Sequence, residues 1–409
     1  MWRSPAFRRI ILLWLVWAVV LSGFQVLVQA RFQPQRPDYA LPWTGRLTGI
    51  HSQNDKPYLI HPFLNEHVSF DSIFYISIAL VGYDDPVVPP VPRPGDTTLS
   101  MNYAFFPFYP FLMYLVLYPL RIFCLDAIAT ATLAGVLISL LGALAAMLAL
   151  FDLTQEELGE AGGLRTAFYL LIFPTGFFLA MVFTEGLFVG LTFSALALIR
   201  RRKFGWAALL AALATWTRAV GFVLVVPLAL AVLYQSWSGS LRKTLNWTFL
   251  RKGVYVLIPL AAMGIWMASP WAPRFRYVEK DYFGQGFLQV SRSMHAWAYA
   301  FTKMVSGDNT QTTAYYAIEF FTILLALLAG VMLLRRYPTV AVFSLLALTI
   351  ALTSGAPQSL NRYVLATPAT FIFLSRAGKN EVFDRIWTLT STLLMGLLVT
   401  LFTFDMWVA

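Results

Sequence analysis

Seven residues are of types, and in places, that could do chemistry: Asp71, Tyr75, Tyr83, Glu185, Arg218, Arg362 and Tyr363. Asp71 stands in His67-Val-Ser-Phe-Asp71-Ser-Ile-Phe-Tyr75-Ile-Ser-Ile-Ala-Leu-Val-Gly82-Tyr83, late in a polar stretch and just before the main block of apolar segments. A carboxylate there can stay ionised and still meet a lipid-linked partner. If a hydroxyl is to displace a lipid phosphate from a sugar, one base near the attacking oxygen suffices, because lipid phosphate is a fair leaving group. General-base help of this kind is worth roughly 10²–10⁴-fold. The competing reading of Asp71 is a solvated loop acid that caps the helix after it, a common place for Asp.

Glu185, in Phe183-Thr-Glu-Gly-Leu-Phe188, lies between two apolar segments. An acid at the bilayer centre costs about 2.5–3.5 kcal/mol on insertion scales and much less at a turn. Acids in membrane segments are functional candidates by default, although a helix start also favours an acid through its dipole. Arg218, in Ala214-Thr-Trp-Thr-Arg-Ala-Val-Gly221, falls at a hairpin turn and suits a phosphate; an ion pair or a snorkelling side chain is the alternative. Arg362-Tyr363, in Ser359-Leu-Asn-Arg-Tyr-Val-Leu365, begins an apolar stretch from the side where arginine is disfavoured, which points to an anion nearby. His51, His61 and His67 share one loop with Asp55 and Glu66, but their spacing matches no standard metal site, so a metal is not expected. The stretch 270–312, with Arg274, Arg276, Glu279, Lys280 and Asp281 among many aromatics, could close over a substrate or be an ordinary folded loop.

The elements that must position these residues are membrane helices. Of 409 residues, 58% are hydrophobic and 12% charged, and mean hydropathy is +0.66, whereas a soluble domain is about one quarter charged. The apolar runs are long rather than ten-residue and alternating, which argues for a polytopic α-helical protein over a β-barrel. The net charge of +10 could suggest nucleic acid, but the Lys and Arg cluster at segment ends as the positive-inside rule requires, so no nucleic-acid partner is expected. The single cysteine, Cys124, excludes an intrachain disulfide.

Apolar segments are expected at about 10–30, 105–123, 127–151, 165–182, 184–200, 204–217, 219–234, 253–269, 314–334, 339–355, 361–375 and 386–405. Arg3, Arg8 and Arg9 place the N-terminus in the cytoplasm, with the first helix read as an uncleaved anchor rather than a signal peptide. Arg200-Arg-Arg-Lys203, the Arg242-Lys243 to Arg251-Lys252 stretch, Arg335-Arg336 and Arg376 to Lys379 follow on the same side. The C-terminus is then outside, which demands an odd number of crossings, about eleven. The Pro-broken segment 105–123 is the expected exception, re-entrant or lying at the outer surface. The chain reads as one integral unit over 1–409, with a first external loop at 31–104 and a second at 270–312. Within the first, 67–81 is expected to form a short helix along the membrane surface, with Phe70, Ile73, Phe74 and Ser77 on one side.

Five motifs in order carry a family likeness: Phe70-Asp71 with Tyr75, Ile78-Ala79 and Gly82-Tyr83; Ala104-Phe-Phe-Pro-Phe-Tyr-Pro110; Pro174, Phe177, Glu185, Leu187 and Phe188; Thr217-Arg218-Ala219-Val220-Gly221; and Arg362-Tyr363-Val364-Leu365. Over about residues 67–375 the chain resembles the PIG-V-type mannosyltransferases, the second mannosyltransferases of GPI-anchor assembly and their prokaryotic relatives, within the GT-C glycosyltransferases. Phe70 stands where that family carries Trp, Phe183 where it carries Tyr, and Ala219 where it carries Pro.

The resemblance implies a GT-C fold, an active site facing the outside, a polyprenyl-phosphate sugar as donor and Asp71 as base. The donor phosphate would lie near Arg218 or Arg362, with Tyr75, Tyr83, Glu185 and Tyr363 beside the substrates. The acceptor could be a glycan, a lipid or a protein, and membrane lipids would surround the whole chain. Other classes remain open from sequence. A lipid-linked glycan ligase or polymerase would be led by arginines in a later loop. A secondary transporter or flippase would show two related halves with interrupted helices, and no such repeat is visible. A non-catalytic scaffold of the same fold would leave Asp71 expendable.

Overall fold

Apolar runs become helices where a capping residue or a proline fixes their start. The computed structural model describes residues 5–32, 38–47, 56–59, 61–93, 97–236 and 247–408. Arg3, His51, Asp55 and the Arg242-Lys243 pair lie outside the described residues. In chain order the helices are α1 (Pro5–Arg31), α2 (Thr44–Leu47), α3 (Ser72–Leu80), α4 (Phe108–Leu120), α5 (Ala127–Leu171), α6 (Glu185–Arg200), α7 (Phe204–Thr217), α8 (Val225–Ser236), α9 (Trp247–Ala268), α10 (Trp271–Asp281), α11 (Val290–Ser306), α12 (Thr310–Leu333), α13 (Pro338–Leu352), α14 (Leu360–Tyr363), α15 (Pro368–Ala377) and α16 (Glu381–Thr403). Asp126 begins α5 by accepting the Ala129 N–H at 2.9 Å, and Asn309 and Asn380 do the same for α12 and α16. Pro338 and Pro368 sit in the first turns of α13 and α15, where a missing N–H costs nothing.

The fold is all-α and of the polytopic membrane kind, with one small addition that the sequence reading lacked. Pro90–Arg93 pairs antiparallel with Thr97–Ser100 as a two-stranded ribbon, β1 and β2, in the first loop. Among the described residues, six helical stretches are long and apolar enough to cross a membrane: Pro5–Arg31, Ala127–Leu171, Ala219–Ser236, Phe249–Ala268, Thr310–Leu333 and Glu381–Thr403. Phe108–Phe123, Phe204–Thr217 and Pro338–Leu352 are apolar but shorter. At 1.5 Å per residue a 15-residue helix reaches about 22 Å, less than a hydrocarbon core of about 30 Å. Length and composition therefore qualify fewer spans than the eleven or so that hydropathy and charge suggest.

The expected apolar helix at 165–182 is not one helix. α5 turns at Gly159, whose φ of 72° and ψ of 179° join two helices, and the second ends at Leu171. From Ile172 to Thr184 the backbone is irregular apart from a 3-10 turn at Gly176–Ala180, and every residue is buried. Non-helical backbone at membrane depth survives only when protein encloses it. Here the enclosure is aromatic: Phe177, Phe178 and Phe183 pack around Phe402 with ring centroids 5.4–5.7 Å apart.

α5 and α6 meet along small residues. A Cβ on Gly142 would come within 2.2 Å of the Gly186 carbonyl oxygen, so the two backbones touch and Glu185 is held hard against α5.

The helix expected over 67–81 is α3, starting at Ser72 after a 3-10 turn at Asn65–His67. It does not keep a watery side. Residues 72–77 and Ala79 are all buried, within a cluster that includes Tyr103, Phe105, Tyr109 and Val278. A helix apolar on every side belongs inside protein, and the neighbours that enclose α3 come from α4, α5 and the Met101–Ala104 turn. The segment 105–123 forms α4 and a terminal turn, with Tyr109, Met113 and Leu117 against α5, while Phe111, Tyr114, Leu115 and Tyr118 are exposed on the other side.

Candidate active site

Asp71 sits at the N-cap position of α3, yet its side chain makes no capping hydrogen bond. The capping reading of this residue is therefore set aside by geometry. Its Oδ2 instead accepts from Arg362 Nη1 at 3.0 Å. Arg362 Nε lies 3.1 Å from Glu185 Oε1, and the same oxygen accepts from Arg218 Nη1 at 2.5 Å. Four motifs scattered along the sequence are thus joined in one chain of alternating charge: Asp71, Arg362, Glu185, Arg218. Its formal charge is zero.

The members are not equally accessible. Side-chain exposure is 23% for Asp71 and 14% for Arg218, against 9% for Arg362 and 2% for Glu185. The two ends of the chain can therefore meet a ligand, one negative and one positive, while the middle is spent on internal pairing. Arg362 is held further by the rings of Phe178 and Phe183, 5.4 and 5.1 Å from its guanidinium carbon. Arg218 lies over the Tyr363 ring at 4.3 Å while its Nη1 bonds Glu185.

Local backbone explains each placement. Arg218 closes α7 in an extended conformation, and the turn after it folds back so tightly that a Cβ on Gly221 would lie 2.3 Å from the Ala214 carbonyl carbon. Only glycine fits there. Arg362 is in the four-residue α14, whose first N–H groups need an acceptor inside a buried region. Glu319 of α12 supplies it, accepting from Leu360 N–H at 3.2 Å, Asn361 N–H at 2.7 Å and the Tyr315 hydroxyl at 2.8 Å. Thr175, in the irregular buried stretch, donates to the Asn361 carbonyl at 3.0 Å.

The tyrosines divide. Tyr363 is at the chain of charges through Arg218. Tyr75 lies beside it, packed edge-on against Phe183, Phe105 and Tyr109, with Thr184 as hydrogen-bond partner. Tyr83 is not brought to the charges. It stacks on Tyr103 at 5.2 Å and its hydroxyl donates to the Phe105 carbonyl at 2.9 Å, which is a packing role.

Of the loop histidines, His61 and His67 are among the described residues and have separate partners. His61 pairs with Asp126, and His67 is buried with Nδ1 3.2 Å from the Ala180 carbonyl. Among the described residues no group of three or more His, Cys, Asp or Glu gathers as metal ligands would.

The stretch 270–312 is two helices rather than a loop. α10 packs over the turn at Met101–Ala104: Arg274 donates to the Tyr103 hydroxyl, Tyr277 donates to the Pro92 carbonyl at 2.8 Å, and Phe275 meets Phe106 at 5.0 Å. Val278 is fully buried in the cluster that holds α3. This brings Glu279 into electrostatic reach of Asp71 and Arg218. Sequence reading gave Glu279 no role of its own; a lone acid in a helix of mixed charge carries no pattern, and only the docking of α10 over the Met101–Ala104 turn reveals it.

Desolvation pushes the Glu279 carboxyl up to about 8, with the Asp71 charge adding to the rise and Arg218 opposing it. The sign follows. The fold holds this proton more tightly than the unfolded chain does, so the associated stability is full at low pH and is lost as pH rises through about 8. Above that, a new negative charge beside Asp71 disfavours an anionic ligand. Activity is expected to fall as pH passes about 8, and Glu279→Gln is expected to remove that limb from the pH profile. A limb that persists in the glutamine variant has another origin.

No protein-family model matches the sequence, and no curated protein matches it. Solved structures do. The crystal structure of ArnT from Cupriavidus metallidurans bound to undecaprenyl phosphate is similar over 89% of this chain and 60% of its own, with 14% identity and a TM-score of 0.45. The archaeal oligosaccharyltransferase AglB from Archaeoglobus fulgidus, in complex with an inhibitory peptide and a dolichol-phosphate, is similar over 96% of this chain and 55% of its own, with 15% identity and a TM-score of 0.43. The Archaeoglobus fulgidus oligosaccharyltransferase in its apo form gives 97%, 56%, 13% and 0.45 for the same quantities. The chain thus spans 55–60% of the length of these structures.

Proposed function

We propose that this chain is a membrane glycosyltransferase of the GT-C type that moves a sugar, with inversion, from a polyprenyl-phosphate donor to an acceptor outside the cytoplasm. The observation that carries the reading is the chain Asp71–Arg362–Glu185–Arg218, with its negative end and its positive end both accessible. An inverting displacement needs that polarity. The acceptor hydroxyl gives its proton to Asp71 while its oxygen bonds to the anomeric carbon. The bond from that carbon to the phosphate oxygen breaks, and the polyprenyl phosphate leaves with its charge facing Arg218. Arg362 holds the Asp71 carboxylate in place, and Glu185 keeps the two guanidiniums from repelling one another.

Mannose as the sugar and a PIG-V-like subtype rest on the five motifs, as does the donor class. The acceptor is a glycan, lipid or protein. No nucleotide sugar and no soluble cofactor enter the reaction. The chain works as one unit in a membrane, most simply a prokaryotic plasma membrane, with its N-terminus cytoplasmic and the site on the other side.

The test is to supply radiolabelled polyprenyl-phosphate sugars, one sugar at a time, to membranes with and without the protein. Transfer from one of them, and none from nucleotide sugars, is the expected result; use of a nucleotide sugar alone by the purified protein rejects the donor class. Arg218→Ala is expected to raise the KM for the donor by roughly tenfold or more, the scale of a lost hydrogen bond between charged groups, with the acceptor KM little changed. Equal rises in both would remove the phosphate from Arg218.

A further inference from the structure

Phe70 has a φ of 44°, a left-handed conformation that a bulky residue adopts only when its surroundings impose it. It immediately precedes Asp71, so whatever imposes the kink also aims the carboxylate. The surroundings come from the segment after α16. Asp405 is fully buried; it accepts from the Ser69 hydroxyl at 2.5 Å and from the Phe70 N–H, and it pairs with Lys56. The Lys56 ammonium also lies over the Phe70 ring at 5.1 Å. Trp407 meets the Phe70 ring edge-on at 5.0 Å, and its backbone N–H donates to the Asp38 carboxylate at 2.9 Å. One residue further, the buried Val408 carbonyl accepts from the Asn361 side-chain amide at 3.1 Å, next to Arg362.

We propose that Asp405–Val408 is a positioning brace for the Asp71–Arg362 pair: Asp405 and Trp407 lock the kink before Asp71, and Val408 holds the turn before Arg362. Two loops that are 291 residues apart in sequence are thereby clamped from one four-residue segment. Asp405 reaches the chain of charges through Ser69 and Phe70, and Trp407 reaches it through Phe70 and through Tyr315, whose hydroxyl bonds Glu319. The brace also accounts for phenylalanine at position 70, because the ring is enclosed by Trp407 on an edge and Lys56 on a face. This inference rests on Asp71 as the base and adds which residues set its geometry.

The experiment uses the full-length protein in membranes or detergent. Asp405→Asn keeps an acceptor for Ser69 and Phe70 but loses the pair with Lys56; Trp407→Phe shortens the wedge without touching a charge. Both are expected to lower kcat by about 10–100-fold, the scale of a small misplacement of a reacting group, with donor KM changed less than about twofold because the Arg218 end is untouched. Asp405→Glu is expected to restore part of the loss. Hydrogen exchange is expected to rise at 69–75 in both variants, and Asn361→Ala should raise it at 359–363. Unchanged exchange at 69–75 in Asp405→Asn overturns the brace whatever the activity, and so does a wild-type kcat in both variants. The base assignment is judged separately, on Asp71→Asn alone.

Discussion

Asp71→Asn, inserted into membranes at the normal level, is expected to lower sugar transfer by roughly 10²–10⁴-fold, the usual scale for a lost general base. The substitution is nearly isosteric, and the amide oxygen can still accept from Arg362 Nη1, as Asp71 Oδ2 does at 3.0 Å. Arg362 also keeps Glu185, so the fold has little reason to fail. What the amide lacks is the ability to take a proton from the acceptor hydroxyl. Binding of the polyprenyl-phosphate donor at the Arg218 end should survive, which separates lost chemistry from a lost site. Transfer at the wild-type rate would remove the base role from Asp71.

Arg362 carries the second large effect, because it alone of the four is paired with both acids, by a hydrogen bond to Asp71 and an ion pair with Glu185. Its two contacts use different nitrogens of the guanidinium, Nη1 to Asp71 and Nε to Glu185, which is the two-pronged geometry that arginine has and lysine lacks. Arg362→Ala leaves Asp71 unpaired and Glu185 with Arg218 alone. Breaking a buried ion pair from one side costs about 3–5 kcal/mol, a large part of the roughly 5–15 kcal/mol that holds an ordinary protein folded. A markedly lower unfolding temperature and loss of transfer are expected together. Arg362→Lys restores a positive charge but reaches one carboxylate at a time. Its stability should recover more than its rate, and full recovery of rate would show that the two-pronged contact is not required.

A good part of this site was legible in the sequence because each member breaks a local rule. An acid just before the main block of apolar segments, an acid between apolar runs, and arginines at turns between apolar segments all stand out against a background that is 12% charged. Asp405 and Glu279 do not stand out in that way, whereas Glu319, an acid inside the apolar α12, breaks the same rule as Glu185. Asp405 follows an apolar helix, as loop acids commonly do, and Glu279 sits among Arg276, Lys280 and Asp281. Their importance arises from partners far away in the chain, which no local pattern encodes. Tyr83 shows the reverse case. It belongs to the motif that holds Asp71, yet α3 ends before it, and its ring turns to Tyr103 instead.

By itself the sequence determined that this is a helical membrane protein, and it marked Asp71, Glu185, Arg218 and Arg362. Long apolar runs leave few options in a bilayer, where every backbone group must find its partner within a helix, and charged residues in such company are conspicuous. The tertiary structure alone decided that 172–184 is irregular and enclosed, that α3 is buried rather than spread on a surface, and that the four charges alternate in one order. It also decided which acids support the site from outside it. The physical reason is common to all of these. Periodicity and hydropathy describe a segment against water or lipid, whereas these outcomes depend on which other segment lies against it.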